Sequence, residues 1–153
     1  MAPGGFTHWP PASRLSMLDA TFRALFVAAL AFVTYGTLNP DPGDVAGMSL
    51  ADFIASRILG EPALADKVGH FMAYATLSGL MVMGRAAPAG SITLGATALA
   101  VYGFGLEGLQ GFFPDRQSDW RDGLANAAGV AFALPPGMLV RSALAGALTS
   151  ADR

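Results

Sequence analysis

Three polar clusters interrupt an otherwise apolar chain, and their residue types set the chemistry available to it. Asp66, Lys67, His70 and Tyr74 form the first. On a helix, Asp66, His70 and Tyr74 stand at i, i+4 and i+8 and line one stripe. Glu107 and Gln110 form the second, three residues apart and therefore on one helical face. The third runs from Pro114 through Asp115, Arg116, Asp119 and Asp122 to Asn126, with Asp119, Asp122 and Asn126 on a common face. A carboxylate facing an imidazole shifts the proton affinity of both and suits acid–base exchange or metal binding. Arg116, beside a proline turn, suits a carboxylate or phosphate, because its planar fork can make two parallel bonds. Each cluster also has a plainer explanation. His70 could be satisfied by a carbonyl of a neighbouring helix, and Glu107 could reach water from a helix end. Asp119 and Asp122 could simply favour the positive end of a helix dipole. Asn126 resists that account, since a turn inside lipid its amide needs a partner.

The elements that must position these residues are four stretches without a charged side chain: 24–40, 68–84, 86–106 and 123–140. They hold 17, 17, 21 and 18 residues, roughly 25–32 Å as helices, close to the thickness of a hydrocarbon core. Their flanking charges sort by sign. Arg23, Arg85 and Arg141 stand at one end, and Asp41, Asp66–Lys67, Glu107 and Asp122 at the other. Antiparallel helices would therefore gather the arginines on one face of a layer and all three polar clusters on the opposite face. With 53% hydrophobic and 13% charged residues, the chain lies well below the soluble average of about 25% charged. A soluble four-helix domain is the competing reading, and it lacks the polar helix faces that would meet water.

Between these stretches, the sequence predicts a flexible tail over residues 1–20 and a helix stop at Asn39-Pro40-Asp41-Pro42-Gly43. Ser49 with Asp52 resembles a capping box, opening a short surface helix with Leu50, Phe53, Ile54 and Ile58 on one face. The few residues around Arg85 and Pro88 make the second and third stretches an antiparallel hairpin. Pro135-Pro136 remove two backbone donors and should kink or end the last helix. Beyond it, residues 143–153 read as a C-terminal tail with a short amphipathic continuation. Residues 1–13 carry no basic charge and no A-x-A site follows the first apolar run, so that run is expected to be retained.

Lys and Arg counted over the loops place five on the side of the termini and the Arg85 turn, and four on the other. Three of those four, Lys67, Arg116 and Arg121, adjoin an aspartate and read as ion-paired, which puts both termini in the cytoplasm. A net charge of −2 argues against nucleic acid as a partner. The absence of cysteine excludes disulfides and thiolate chemistry. Gly103-x-Gly105-x-x-Gly108 matches a dinucleotide fingerprint in letters only, since no strand precedes it. Small residues there, like Ala125, Gly129 and Ala133, fit close helix approach instead.

With Asp66-Lys67-x-x-His70-Phe-x-x-Tyr74, Glu107-x-x-Gln110, Pro114-x-Arg116 and Asp119-x-x-Asp122-x-x-x-Asn126-x-x-Gly129 in this order, the chain resembles the VanZ-like family of small bacterial membrane proteins. The resemblance covers residues 66–129. Where that family usually has Pro-Gly-Arg, this chain has Pro114-Asp115-Arg116, which keeps the arginine and loses the glycine. The resemblance implies a small helical membrane bundle and carries over the set Asp66, His70, Tyr74, Glu107, Gln110, Arg116, Asp119, Asp122 and Asn126. The family's association with resistance to teicoplanin does not transfer to this chain, and no reaction is implied.

The expected architecture is therefore all-α, a four-span transmembrane helical bundle over residues 21–142 with a short interfacial helix in the first long loop. The expected location is the bacterial inner membrane. The expected function is a polar pocket at the non-cytoplasmic face that binds an anionic, envelope-associated lipid or glycan-type ligand, with Arg116 contacting the anion and His70–Glu107 as a hydrogen-bonding pair. Membrane lipid and other membrane subunits are the expected partners, and neither a cofactor nor a metal is assigned. One alternative is a membrane hydrolase or transferase with His70 or Glu107 as base, with or without a divalent ion on His70, Glu107 and Asp122. The other is a structural accessory subunit of a larger membrane complex.

Overall fold

The computed structural model describes residues 14–39, 46–113 and 118–151. These form helices and their connecting turns: α1 (Arg14–Leu38), α2 (Ala46–Phe53), α3 (Ala65–Met83), α4 (Ile92–Gln110) and α5 (Trp120–Ala151). A π-helical turn, Ile54–Ile58, extends α2, and short 3-10 turns precede α3 and α4. The described chain is all-α. By length and composition, α1, α4 and α5 are apolar enough to cross a membrane, as an integral membrane protein requires.

The centre of the bundle is α3. It buries Tyr74, Leu77, Ser78, Met81 and Val82, the i, i+3, i+4, i+7, i+8 pattern of a single inward stripe. Leu99 of α4 and Val130 of α5 complete this core. The principal partner of α3 is α5, and α4 packs mainly on α5 as well. The expected hairpin of α3 and α4 is thus antiparallel in sequence but loosely packed, because small residues place the tight seam elsewhere. A Cβ at Gly129 would collide with the Phe71 carbonyl oxygen, so the backbones of α5 and α3 touch there. At Gly103, a Cβ would lie 3.0 Å from both Asn126 and Tyr74. Gly105 and Gly108 face open space, so only the first glycine of the fingerprint-like run is a contact.

At one end of the bundle the three arginines gather. Arg23 Nε donates to the Gly84 carbonyl at 2.8 Å, and Arg141 Nη2 meets Asp19 Oδ1 at 2.6 Å. Arg85 sits in the turn itself with φ of 51°. Ser91 caps α4 by accepting from the Leu94 amide at 3.3 Å, a side-chain bond to the third helical N–H. The other end holds the polar clusters.

Several local expectations change. Helix α4 starts at Ile92, with 86–91 forming a turn, so Glu107 and Gln110 belong to its last turn. Ser49 lies inside α2, which begins at Ala46, and so does not cap it. Pro135 and Pro136 do not end α5, which continues to Ala151 through much of the expected tail. Two missing donors leave only two unpaired carbonyls, and a helix held along one face tolerates that. Residues 14–20 are likewise helical, as the first turns of α1. Helix α1 ends at Leu38, directly before Asn39, the first residue of the expected stop at 39–43, whose residues 40–43 lie outside the described residues.

The α3–α5 seam makes the fold sensitive to one methyl group. Gly129→Ala should destabilise the protein by about 1–3 kcal/mol through overpacking, whereas Gly108→Ala should leave stability unchanged or slightly raised. Thermal unfolding of the two variants in detergent checks the contrast; equal melting temperatures would mean the helices do not touch at Gly129.

Candidate functional site: a polar centre on three helices

Helices α3, α4 and α5 bring their polar residues together at the end opposite the arginines. Asp66, His70 and Tyr74 do form a descending stripe. The Asp66 side chain is 70% exposed and that of His70 15%, while Tyr74 is fully buried beneath them. From α4, Glu107 points at His70, with Oε1 3.5 Å from Nδ1 and a side chain only 3% exposed. From α5, Asn126 Oδ1 lies 3.1 Å from the same nitrogen. On the far side of the ring, Nε2 is 3.7 Å from Asp66 Oδ1. His70 is therefore held between two buried acceptors on Nδ1 and a surface carboxylate near Nε2.

Lys67 ties the centre together, although the sequence pointed to it only as a neighbour of Asp66. Its Nζ donates to Asp119 Oδ2 and Asp122 Oδ1, each at 2.8 Å. The ion pairs thus run from α3 to α5 and not to Asp66. Adjacent residues on a helix point about 100° apart, which is why i, i+1 neighbours seldom pair. Asp119 does a second job. Its Oδ1 accepts from the Arg121 amide at 2.9 Å, capping α5 at its second helical N–H. The Lys67 ammonium and this capping bond hold the Asp119 carboxyl below the usual carboxylate range. Arg121 itself turns outward, its guanidinium 6.0 Å from the Trp120 ring centroid.

Gln110 goes elsewhere. It is buried, but its Nε2 donates to the Thr37 carbonyl at 2.6 Å, satisfying one of the orphan carbonyls that end α1. It therefore fastens α1 to α4 and makes no bond to His70. Thr34 of α1 and Tyr102 of α4 share a hydrogen bond at 2.6 Å one turn deeper. Pro114, Asp115, Arg116 and Gln117 lie outside the described residues, and with them the expected anion contact.

Four of the six buried polar atoms without a hydrogen-bond partner among the described residues lie here: Tyr74 Oη, both Glu107 oxygens and Asn126 Nδ2. They converge under His70. The cluster carries four carboxylates, Asp66, Glu107, Asp119 and Asp122, against one lysine and one histidine, so its described part is acidic. A groove of about 730 Å³ lies between α1 and α4, lined by Leu30, Thr34, Tyr35, Leu38 and Tyr102. It is apolar and separate from the His70 centre. No family model, curated protein or solved structure matches the chain.

Removing Lys67 leaves Asp122, whose side chain is 5% exposed, as a buried charge without its donor. Lys67→Ala should cost about 1–3 kcal/mol. Asp119→Ala should cost less, since that carboxylate is a third exposed. Because the folded Asp119 carboxyl titrates below its unfolded value, its contribution is present above the ordinary carboxylate range and is lost as pH falls through the folded value. Denaturation of the three proteins across acidic pH checks this. The gap between wild type and Asp119→Ala should close toward low pH, and a gap that widens would contradict the pairing.

Proposed function

We propose that the protein is a VanZ-like, four-span protein of the bacterial inner membrane. Its polar centre at the non-cytoplasmic face would bind an anionic lipid or glycan-type headgroup of the cell envelope. The observation that carries this reading is the convergence of His70, Glu107, Asn126, Lys67 and Asp122 from three helices at one end of the bundle. Ionisable groups buried at membrane depth are expensive and mark sites more often than surface charges do.

In this reading α3 is the fourth crossing. Its polar first turns, with Asp66, Lys67 and His70, lower its hydropathy, and those residues face the protein or the surface. Helix α2 lies on the bilayer surface. Ala51 and Ala55 are its buried residues, Ala51 lying against Gly69 of α3, while Leu50, Phe53, Ile58 and Leu59 are exposed and available to lipid. The arginine end faces the cytoplasm with both termini.

Lys67 is already neutralised by two aspartates, so this reading gives the anion contact to Arg116, whose planar fork suits a phosphate or carboxylate. The competing hydrolase reading would use the His70–Glu107 pair as its base. Ser78 is committed to the Val130 carbonyl at 3.0 Å and Thr34 to Tyr102, so neither hydroxyl serves that reading as nucleophile.

The chain has no cysteine, so single cysteines report topology cleanly. Cysteines at Ser13 and Ser150 should resist an impermeant thiol reagent in intact cells, and one at Ser49 should react. The reverse pattern would move the polar centre to the cytoplasm. For the ligand, purified protein should bind phosphatidylglycerol more tightly than phosphatidylcholine. Arg116→Lys should weaken that preference with little change in melting temperature. An unchanged preference accompanied by a lowered melting temperature would make Arg116 a structural pairing residue.

A further inference from the structure

The two ring nitrogens of His70 face opposite environments, and the contrast has a chemical consequence. Nδ1 meets only acceptors, Asn126 Oδ1 at 3.1 Å and Glu107 Oε1 at 3.5 Å. With the hydrogen on Nδ1, the ring donates to Asn126 Oδ1. In the neutral ring that leaves Nε2 with a lone pair. Nε2 faces a carboxylate as well, with Asp66 Oδ1 at 3.7 Å. Ligand atoms of Asp66, His70 and Asp122 all lie within 4.8 Å of one another. An imidazole nitrogen and two carboxylates gathered this closely offer three ligand atoms to one cation.

We propose that Asp66, His70 and Asp122 form a binding site for one divalent transition-metal ion of the zinc or manganese class. Ligands at 2.0–2.2 Å from a tetrahedral ion stand roughly 3.3–3.6 Å apart, and the separation of Nε2 from Asp66 Oδ1, 3.7 Å, is close to that. Asp66 is on the surface and free to close the remaining distance. Asp122 gives Oδ1 to Lys67 and still has lone pairs for an ion, since a carboxylate has sites for both. Imidazole among the ligands favours zinc over magnesium and calcium, and the two carboxylates also suit manganese.

The support beneath the ring is what such a site requires. A metal-bound histidine usually donates its second N–H to a carboxylate or carbonyl, which fixes its orientation and raises its basicity. Glu107 and Asn126 occupy that position. Both are buried; Asn126 Oδ1 bonds Nδ1 at 3.1 Å, while Glu107 Oε1 stands 3.5 Å off as a charge partner, its two oxygens without a hydrogen bond among the described residues. Glu107 is thus a positioning residue for His70 and not a ligand, which revises the ligand set the sequence suggested. Lys67 opposes the ion electrostatically, but its charge is spent on Asp119 and Asp122.

This inference goes beyond headgroup binding, and its test needs no lipid ligand. Full-length protein, stripped with a chelator and held in a neutral detergent, is titrated calorimetrically with zinc, manganese and magnesium chloride. One zinc or manganese ion per chain should bind saturably and raise the melting temperature, with magnesium far weaker. Asp66→Asn, a surface change that should not disturb folding, should lower zinc affinity at least tenfold. Glu107→Gln should lower it by roughly 10–100-fold, as loss of a supporting carboxylate does elsewhere, while stoichiometry stays at one. Absence of saturable uptake would overturn the site. Uptake unchanged in both Asp66→Asn and His70→Gln would reduce it to adventitious surface binding. In either case the phosphatidylglycerol preference remains separately measurable.

Discussion

Lys67 reaches across from α3 to two carboxylates that α5 presents at its start, and much of the polar end is organised around that contact. The bridge fixes the register of α5 on α3, because Asp119 and Asp122 are one turn apart and a single ammonium serves both. With this register set, Asn126, one turn further along α5, meets His70. Gly129, three residues beyond, arrives where the α3 backbone comes closest. A one-turn slip would bring the wrong residue to each of these positions. Gly129 and Lys67 thus constrain the same docking from two sides, one by excluding volume and one by pairing charge. The ion pair is not free stabilisation, since desolvation offsets much of its Coulomb gain. Its value lies in making a mispaired register costly.

Some of this arrangement is visible in one dimension. The sign of the charges flanking each apolar stretch implied which ends lie together, and the Arg23–Gly84 and Arg141–Asp19 contacts bring the arginine ends into one region. The i, i+4, i+8 spacing of Asp66, His70 and Tyr74 implied a stripe, and His70 and Glu107 approach because both lie on the same level of neighbouring helices. Spacing along a helix is a property of the chain itself, so a reading of the chain recovers it.

Choices between helices are a different matter. Neither the partners of Lys67 nor the destination of Gln110 is encoded locally. Asp66 is adjacent to Lys67 in sequence yet points away from it, and Gln110 shares a face with Glu107 yet bonds to α1. Which helices pack most closely was equally hidden, because a short turn brings α3 and α4 together while the glycines bring α3 and α5 closer. The Pro135-Pro136 pair misleads for a related reason. A proline penalty is measured against an isolated helix, whereas here tertiary packing on Val82 and its neighbours spans the same stretch.

The distribution of burial against hydropathy is the deepest physical clue to the surroundings of this bundle. Helix α3, the one long helix that by composition is not apolar enough to count as a membrane span, is the most enclosed, and α1, which is apolar enough, buries no residue at all. Leu25, Val27, Phe32 and Tyr35 stand exposed along α1. In water this order is upside down, since a helix apolar all round should be the one buried. In hydrocarbon it is the stable order. Apolar side chains lose nothing by facing lipid, so the driving force for packing passes to close backbone approach and to polar groups that must find one another. That is where α3 sits: its inward face carries the residues with most to lose from exposure to acyl chains. The same constraint that pulls His70, Lys67 and Asp122 toward the middle of the bundle leaves them grouped where one surface of the protein can use them.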